Sequence, residues 1–245
     1  KGLSIRDYLD YSVKEAEKLY VAGFNGVIIE NYMDYPFTVR ITNRSILEVF
    51  SMIVERVRKE FNDLEIGVNI LRNSGVEAAW IACVSKADFI RVNSYYEPVL
   101  ASEGFLQPIA REIWSVLNLL DCRVKIYADV NVKHAKPLIN LVDALHDTCG
   151  RGRVNGVIIT GRATGYETSL NDVLLARRIC RDKEIWVGSG VNHDNIGSYI
   201  DIVDGLIIGT SIKIDGVTSN PIDVDRAKMI VDRARIVENR VQRLK

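Results

Sequence analysis

The feature that most constrains this chain is a series of short apolar runs, each ending in polar residues, in the order that the strands of a parallel barrel would need. Val27-Ile28-Ile29 runs into Glu30-Asn31, Ile66-Gly67-Val68 into Asn69, Phe89-Ile90 into Arg91-Val92-Asn93, and Ile126-Tyr127-Ala128 into Asp129. Farther along, Val157-Ile158-Ile159 reaches Thr160-Gly161, Trp186-Val187 reaches Gly188-Ser189-Gly190, and Leu206-Ile207-Ile208 reaches Gly209-Thr210. Groups at the carboxyl ends of successive parallel strands converge on one mouth, where (β/α)8 enzymes carry their sites.

Helix-like patterns separate the runs, at 5–21, 45–61, 75–86, 107–120, 136–147, 169–181, 193–200 and 221–243. This alternation predicts a parallel sheet whose strands, covered on both faces, read as continuous apolar stretches. The 245 residues, 47% of them hydrophobic, suit a single domain over 1–245, since one barrel takes about 250. About seven strands can be counted against the eight of a closed barrel, and the chain opens on a helix. The expected fold is therefore a (β/α)8 TIM barrel whose first strand is missing from this chain, with an open doubly wound sheet as the alternative.

Lys and Arg, 32 together, balance 32 Asp and Glu. Such a chain has no broad basic field for nucleic acid or an anionic membrane, and an anion would need a local site. The last helix pattern interleaves Lys228, Arg233, Arg235, Arg240 and Arg243 with Asp225, Asp232 and Glu238, a solvated face rather than a nucleic-acid patch. No apolar run approaches the roughly 18 to 20 residues of a membrane span, so no membrane insertion is expected. Cys83, Cys122, Cys149 and Cys180 are widely spaced and form no CxxC. They are expected to be buried free thiols of a soluble cytoplasmic protein.

Two glycine turns give the clearest chemical signal. Gly188-Ser189-Gly190-Val191 and Gly209-Thr210-Ser211 follow the last two strands, where phosphate-binding barrels present backbone N–H groups to a phosphate. Either motif alone would equally make a tight turn; the pair at these positions favours a phosphorylated small-molecule ligand.

Asp129, Lys133 and His134 form a second constellation, able to supply a base, a clamp and an acid. A desolvated Lys133 could also form a Schiff base. The competing reading is an Asp129–Lys133 salt bridge with His134 capping a helix. Glu30 could face Asp129 as a second carboxylate. No cofactor is expected and no metal-specific spacing is present, although two carboxylates with His134 would admit magnesium before zinc. Asn69, Arg91, Asn93, Thr160, Gly161, Ser189, Gly190, Val191, Gly209 and Thr210 are the expected binding residues, with Arg162 in the loop after Thr160. By strand parity Arg91 shares a face with Asn93, and Tyr127 with Asp129, while Glu30, Asn69, Thr160 and Ser189 occupy the last inward positions of their runs. For Arg91 the competing reading is an ion pair inside the barrel, with Glu30 or Asp129.

Several motifs in order resemble the BtpA/SgcQ family. They are Glu30-Asn31-Tyr32 with Asp34 and Pro36-Phe37, Gly67 through Asn73, Phe89 through Asn93, and Asp129 through His134. The match continues with Thr160-Gly161, Thr164-Gly165, Gly188 through Val191, Asn195-Ile196, Gly209 through Lys213, Asp215-Gly216, Asn220-Pro221 and Asp223. The resemblance spans nearly the whole chain and implies a barrel of the ribulose-phosphate-binding group. It also implies relatives known through a photosystem I biogenesis factor and a sugar-operon protein, with no reaction assigned. Departures fall in mouth loops: Met33 stands where glycine is usual, Ser74 where aspartate is usual, and 94–107 lacks a typical glycine near its start.

Two functions follow as expectations. The first is an enzyme on a phosphosugar or nucleotide, working as a lyase, isomerase or hydrolase through Glu30, Asp129, Lys133 and His134. The other is a non-catalytic assembly or stability factor for a larger complex. Barrels of this kind often associate as homo-oligomers, but no apolar stripe here marks the interface.

Overall fold

Side-chain caps at Ser4, Asn43, Asn140 and Ser169 mark where helices start. A computed structural model of the protein describes residues 4–161 and 163–242, so Arg162 and Arg243, named above, lie outside the described residues. Ser4 and Asp7 form a capping box at the start of α1 (Ile5–Ala22), and Gly23, at φ 89°, ends it in the left-handed region. Then follow β1 (Gly26–Glu30), α2 (Arg44–Glu60), β2 (Glu65–Asn69), α3 (Gly75–Ser85), β3 (Phe89–Val92), β4 (Val99–Ala101), β5 (Gly104–Leu106) and α4 (Ala110–Leu119). The second half carries β6 (Lys125–Val130), β7 (Ala135–Pro137), α5 (Leu141–Arg151), β8 (Gly156–Ile159), α6 (Leu170–Ile179), β9 (Glu184–Val187), β10 (Gly205–Leu206) and α7 (Val224–Gln242).

Seven strands form one parallel sheet in the order β1-β2-β3-β6-β8-β9-β10. Among the described residues β1 and β10 do not pair with each other. The register brings Glu30 opposite Asn69, Arg91 opposite Tyr127, and Asp129 opposite Ile158. Phe89, Tyr127 and Ile158, with Ile28, Trp186 and Ile207 against them, make a small apolar cluster of their own, separate from the large core shared with the helices. This cluster is the inward plug of the sheet. Phe89 meets Tyr127 edge-on at 5.3 Å, and Tyr127 meets Trp186 at 4.4 Å. Gly67 is required opposite it, because a Cβ there would lie 2.2 Å from the Phe89 ring. Two residues beyond each plug residue the same face continues. Glu30 follows Ile28, Arg91 follows Phe89, Asp129 follows Tyr127 and Thr160 follows Ile158, so a polar layer lies directly above an apolar one.

Three elements differ from expectation. The stretch 193–200 carries only a 3-10 turn, Ile196–Ser198. Asn192 Oδ1 accepts the N–H groups of Asp194 and Asn195, and Asn195 Oδ1 accepts that of Asn192. Such side-chain bonds offer the backbone an alternative to helix. The helix expected at 136–147 starts later, at Leu141, because Asn140 caps it through the Asp143 N–H. Residues 135–137 instead form β7, which joins β4 and β5 in a small antiparallel sheet over one side of the mouth. Val99, Leu106 and Val132 give that sheet its own core.

The four cysteines are corrected outright: they are paired, Cys83 with Cys122 and Cys149 with Cys180, and none is free. Each bridge ties neighbouring helices, α3 to the end of α4 and α5 to the end of α6. Separations of 39 and 31 residues hide this closeness in the sequence.

Candidate functional site

The polar layer is organised around one buried ion pair. Arg91 is 3% exposed and Asp129 1%. Arg91 donates through Nε to Oδ1 and through Nη2 to Oδ2 of Asp129, both at 3.0 Å, a bidentate fork. Asn93 Nδ2 adds a bond to Oδ2 at 2.6 Å, and Asn69 Nδ2 donates to the Arg91 carbonyl at 3.0 Å. Glu30 Oε1 stands 3.9 Å from Arg91 Nη1. Burial works against the Arg91 charge, but Asp129 and Glu30 outweigh it and hold the guanidinium above its ordinary value. The ion pair that stood as the competing reading for Arg91 is therefore present, whereas among the described residues no Asp129–Lys133 bridge forms.

Lys133 is presented by a loop fixed on both sides. Its N–H donates to Thr160 Oγ1 at 2.9 Å, and its carbonyl accepts from Arg72 Nη2 at 3.1 Å. Burial, with Arg91 and Arg72, lowers the pKa of its amine from the ordinary value against the opposing pull of Glu30 and Asp129. His134 is exposed. Its Nε2 accepts the Thr164 N–H at 3.1 Å, which places the ring proton on Nδ1 and ties the loop after Gly161 to this one. It caps no helix. Burial, Lys133 and Arg72 lower its pKa. Among the described residues no three His, Cys, Asp or Glu side chains are grouped as metal ligands.

Glu97 and Arg72 belong to the same layer, and sequence reasoning gave neither a role. Arg72, 4% exposed, lies 3.7 Å from Glu103 and bonds the Lys133 carbonyl. Glu97, 1% exposed, accepts the Asn131 N–H at 2.6 Å through Oε1, while Oε2 has no partner. It lies in an irregular loop with no period to mark it. Burial, and to a lesser degree Asp129, push its pKa from 4.5 to about 7, against the Asn131 N–H. The folded chain thus holds this proton more tightly than the unfolded one. Its contribution to stability is full below pH 4.5 and is lost as the pH rises through about 7. The loss is on the order of 3 kcal/mol. Urea titrations across this window should show it, and Glu97→Gln, which keeps an acceptor for Asn131, should flatten the profile. An unchanged slope in that variant would assign the pH dependence elsewhere.

The glycine turns after β9 and β10 touch, with Ser211 Oγ donating to the Val191 carbonyl at 2.8 Å. Asn195 Nδ2 holds the Gly190 carbonyl at 2.8 Å. The N–H groups of Gly190, Val191, Gly209 and Thr210 have no acceptor among the described residues. Gly190, at φ +70°, is required for the fold, since a Cβ there would lie 2.4 Å from the Tyr166 carbonyl. Gly209 is different: a Cβ there would meet nothing within 4 Å, so this position has room for a side chain. Thr210 Oγ1 is engaged with Thr218 at 3.0 Å. Ser189 is corrected. Trp186 faces the lumen, so alternation puts Gly188 there, and Ser189 is buried with an unpartnered Oγ and its carbonyl bonded by Thr168. A separate cleft of about 450 Å³ opens beside α4, where Arg153 stacks over Trp114, and none of the site residues named above lines it.

The sequence pattern of the BtpA family matches residues 2–236. An uncharacterised protein of Methanocaldococcus jannaschii is 41% identical over 228 residues, 93% of this chain and 86% of that protein. The photosystem I biogenesis protein BtpA of Synechocystis is 33% identical over 230-odd residues, 94% of this chain and 81% of that protein. Among solved structures, native KDPGal superposes with a TM-score of 0.60 at 12% identity, covering 94% of this chain and 91% of its own. Phosphoribosyl anthranilate isomerase from Thermotoga maritima gives 0.58 at 15% identity, covering 91% and 94%. At such identities these likenesses show the fold alone, a TIM barrel. No helix among the described residues is long and apolar enough to cross a membrane. By the near-complete match of its sequence pattern and by these relatives, the chain belongs to the BtpA family.

Proposed function

We propose that the protein is an enzyme acting on a small phosphorylated metabolite, a phosphosugar or nucleotide. One observation carries this reading. Four backbone N–H groups without acceptors among the described residues, those of Gly190, Val191, Gly209 and Thr210, lie on two touching turns, with room at Gly209, beside a layer of buried ionisable groups. Amides so arranged favour an anion without a net basic field. In this reading Asp129, held by Arg91 and Asn93, is a fixed charge that orients its neighbours, while Glu30 and Lys133 are the groups free to move a proton. Lyase, isomerase and hydrolase chemistry all fit such a mouth. The name of the Thermotoga neighbour, an isomerase of a phosphoribosyl compound, supports the substrate class. The name of the Synechocystis relative supplies the competing reading, an assembly factor, for which changes inside the mouth would be silent.

Thermal shift with inorganic phosphate and a panel of phosphorylated metabolites tests the reading. A ligand at a hundred times its Kd raises stability by about 2.7 kcal/mol. Gly209→Asp fills the open space with a negative charge and is expected to abolish that shift, leaving the melting temperature without ligand nearly unchanged. No shift with any phosphorylated compound, or the same shift in Gly209→Asp, would overturn it.

A further inference from the structure

Lys133 combines three properties that do not belong to an ordinary structural lysine. Both of its flanking backbone groups are pinned, by Thr160 Oγ1 at 2.9 Å and by Arg72 Nη2 at 3.1 Å. Its amine makes no hydrogen bond or ion pair among the described residues, although the charges of Glu30 and Asp129 both act on it. Those carboxylates are engaged elsewhere, Asp129 with Arg91 and Asn93, and Glu30 near Arg91, while Glu103 lies beside Arg72. A lysine placed only to balance charge would take one of these partners. This one has its backbone fixed, is half-buried, and has no anion bonded to its amine among the described residues.

We propose that Lys133 is an imine-forming nucleophile, and that the compounds it takes are small aldehydes or ketones. The proposal rests on the phosphate reading only for where the rest of the ligand lies. Burial together with Arg91 and Arg72 favours the neutral amine, the form that can attack. The Nζ lone pair forms a bond to the carbonyl carbon, and the C=O pair moves to oxygen, which takes a proton while nitrogen loses one. The resulting hydroxyl then takes a second proton and leaves as water as the nitrogen pair forms C=N. The nitrogen, which still carries one hydrogen, is then an iminium, which withdraws electrons from the neighbouring carbon and so serves bond cleavage or isomerisation there.

Reductive trapping tests this without knowledge of the natural substrate. The intact protein is incubated at neutral pH with dihydroxyacetone phosphate or glyceraldehyde 3-phosphate, and in parallel with dihydroxyacetone or glyceraldehyde. Cyanoborohydride delivers hydride to the imine carbon, and peptide mapping locates the secondary amine. The expected result is an adduct concentrated on Lys133, with exposed lysines such as Lys59 and Lys136 at background. It should be lost in both Lys133→Arg and Lys133→Gln, with circular dichroism confirming that each is folded. Adducts spread evenly over surface lysines, or none on Lys133, would overturn the proposal. Trapping on Lys133 that ignores the phosphate of the probe keeps the imine and removes the phosphate reading. A phosphate-dependent thermal shift without any Lys133 adduct does the reverse.

Discussion

Opening the Cys83–Cys122 bridge by Cys83→Ser is expected to lower the unfolding free energy by about 3 to 4 kcal/mol. In the chain-entropy account, a cross-link between residues 39 apart removes roughly that much freedom from the unfolded chain. The Cys149–Cys180 bridge, with a separation of 31, should be worth nearly as much. A thiol reductant opens both, so its effect on the guanidinium midpoint should exceed that of either single substitution. Both bridges lie on the helical shell rather than in the mouth, joining α3 to the end of α4 and α5 to the end of α6. Reduction should therefore cost stability while leaving the mouth's ligand preferences intact in the molecules that remain folded. Coincident denaturation curves with and without reductant would show that the bridges do not persist in solution.

The same bridges mark where sequence reasoning stops. Strand order and the identity of the polar layer were legible because both depend on local alternation: the parity that pairs Arg91 with Asn93 and Tyr127 with Asp129 recurs in the plug and the layer above it. Ser189 was misplaced because its run is short and carries no parity marker apart from Trp186, which fixes the lumen face one residue earlier. The sheet of β4, β5 and β7 has only three residues in each strand, too few for a period to register. The expected helix at 193–200 was lost to Asn192 and Asn195, whose side chains bond backbone groups in ways that depend on their rotamers. Cysteine pairing and the burial of Glu97 are contacts between distant segments. Neither leaves a trace in spacing, and the unpartnered state of Lys133 is visible only once its neighbours' partners are known.

Arg91→Leu is expected to cost about 3 to 5 kcal/mol, since it leaves the Asp129 carboxylate buried with Asn93 as its remaining side-chain partner. Asp129→Leu should cost a comparable amount for the mirrored reason, leaving a guanidinium that is 3% exposed with only Glu30 at 3.9 Å. The double variant should recover much of the loss, because a well-packed apolar pair avoids the desolvation that both charges carry. The plug of Phe89, Tyr127 and Ile158 directly beneath already offers apolar surface for the two leucines to meet. Urea unfolding of the four proteins closes the cycle, and a coupling energy near zero would mean that the two side chains do not act as a pair. If the double variant is as stable as the native chain, stability does not account for this pair. What it then provides is a fixed charge beside Lys133 and Glu30. A double variant that folds and melts normally but no longer traps carbonyl compounds at Lys133 would tie the pair to the chemistry of the mouth.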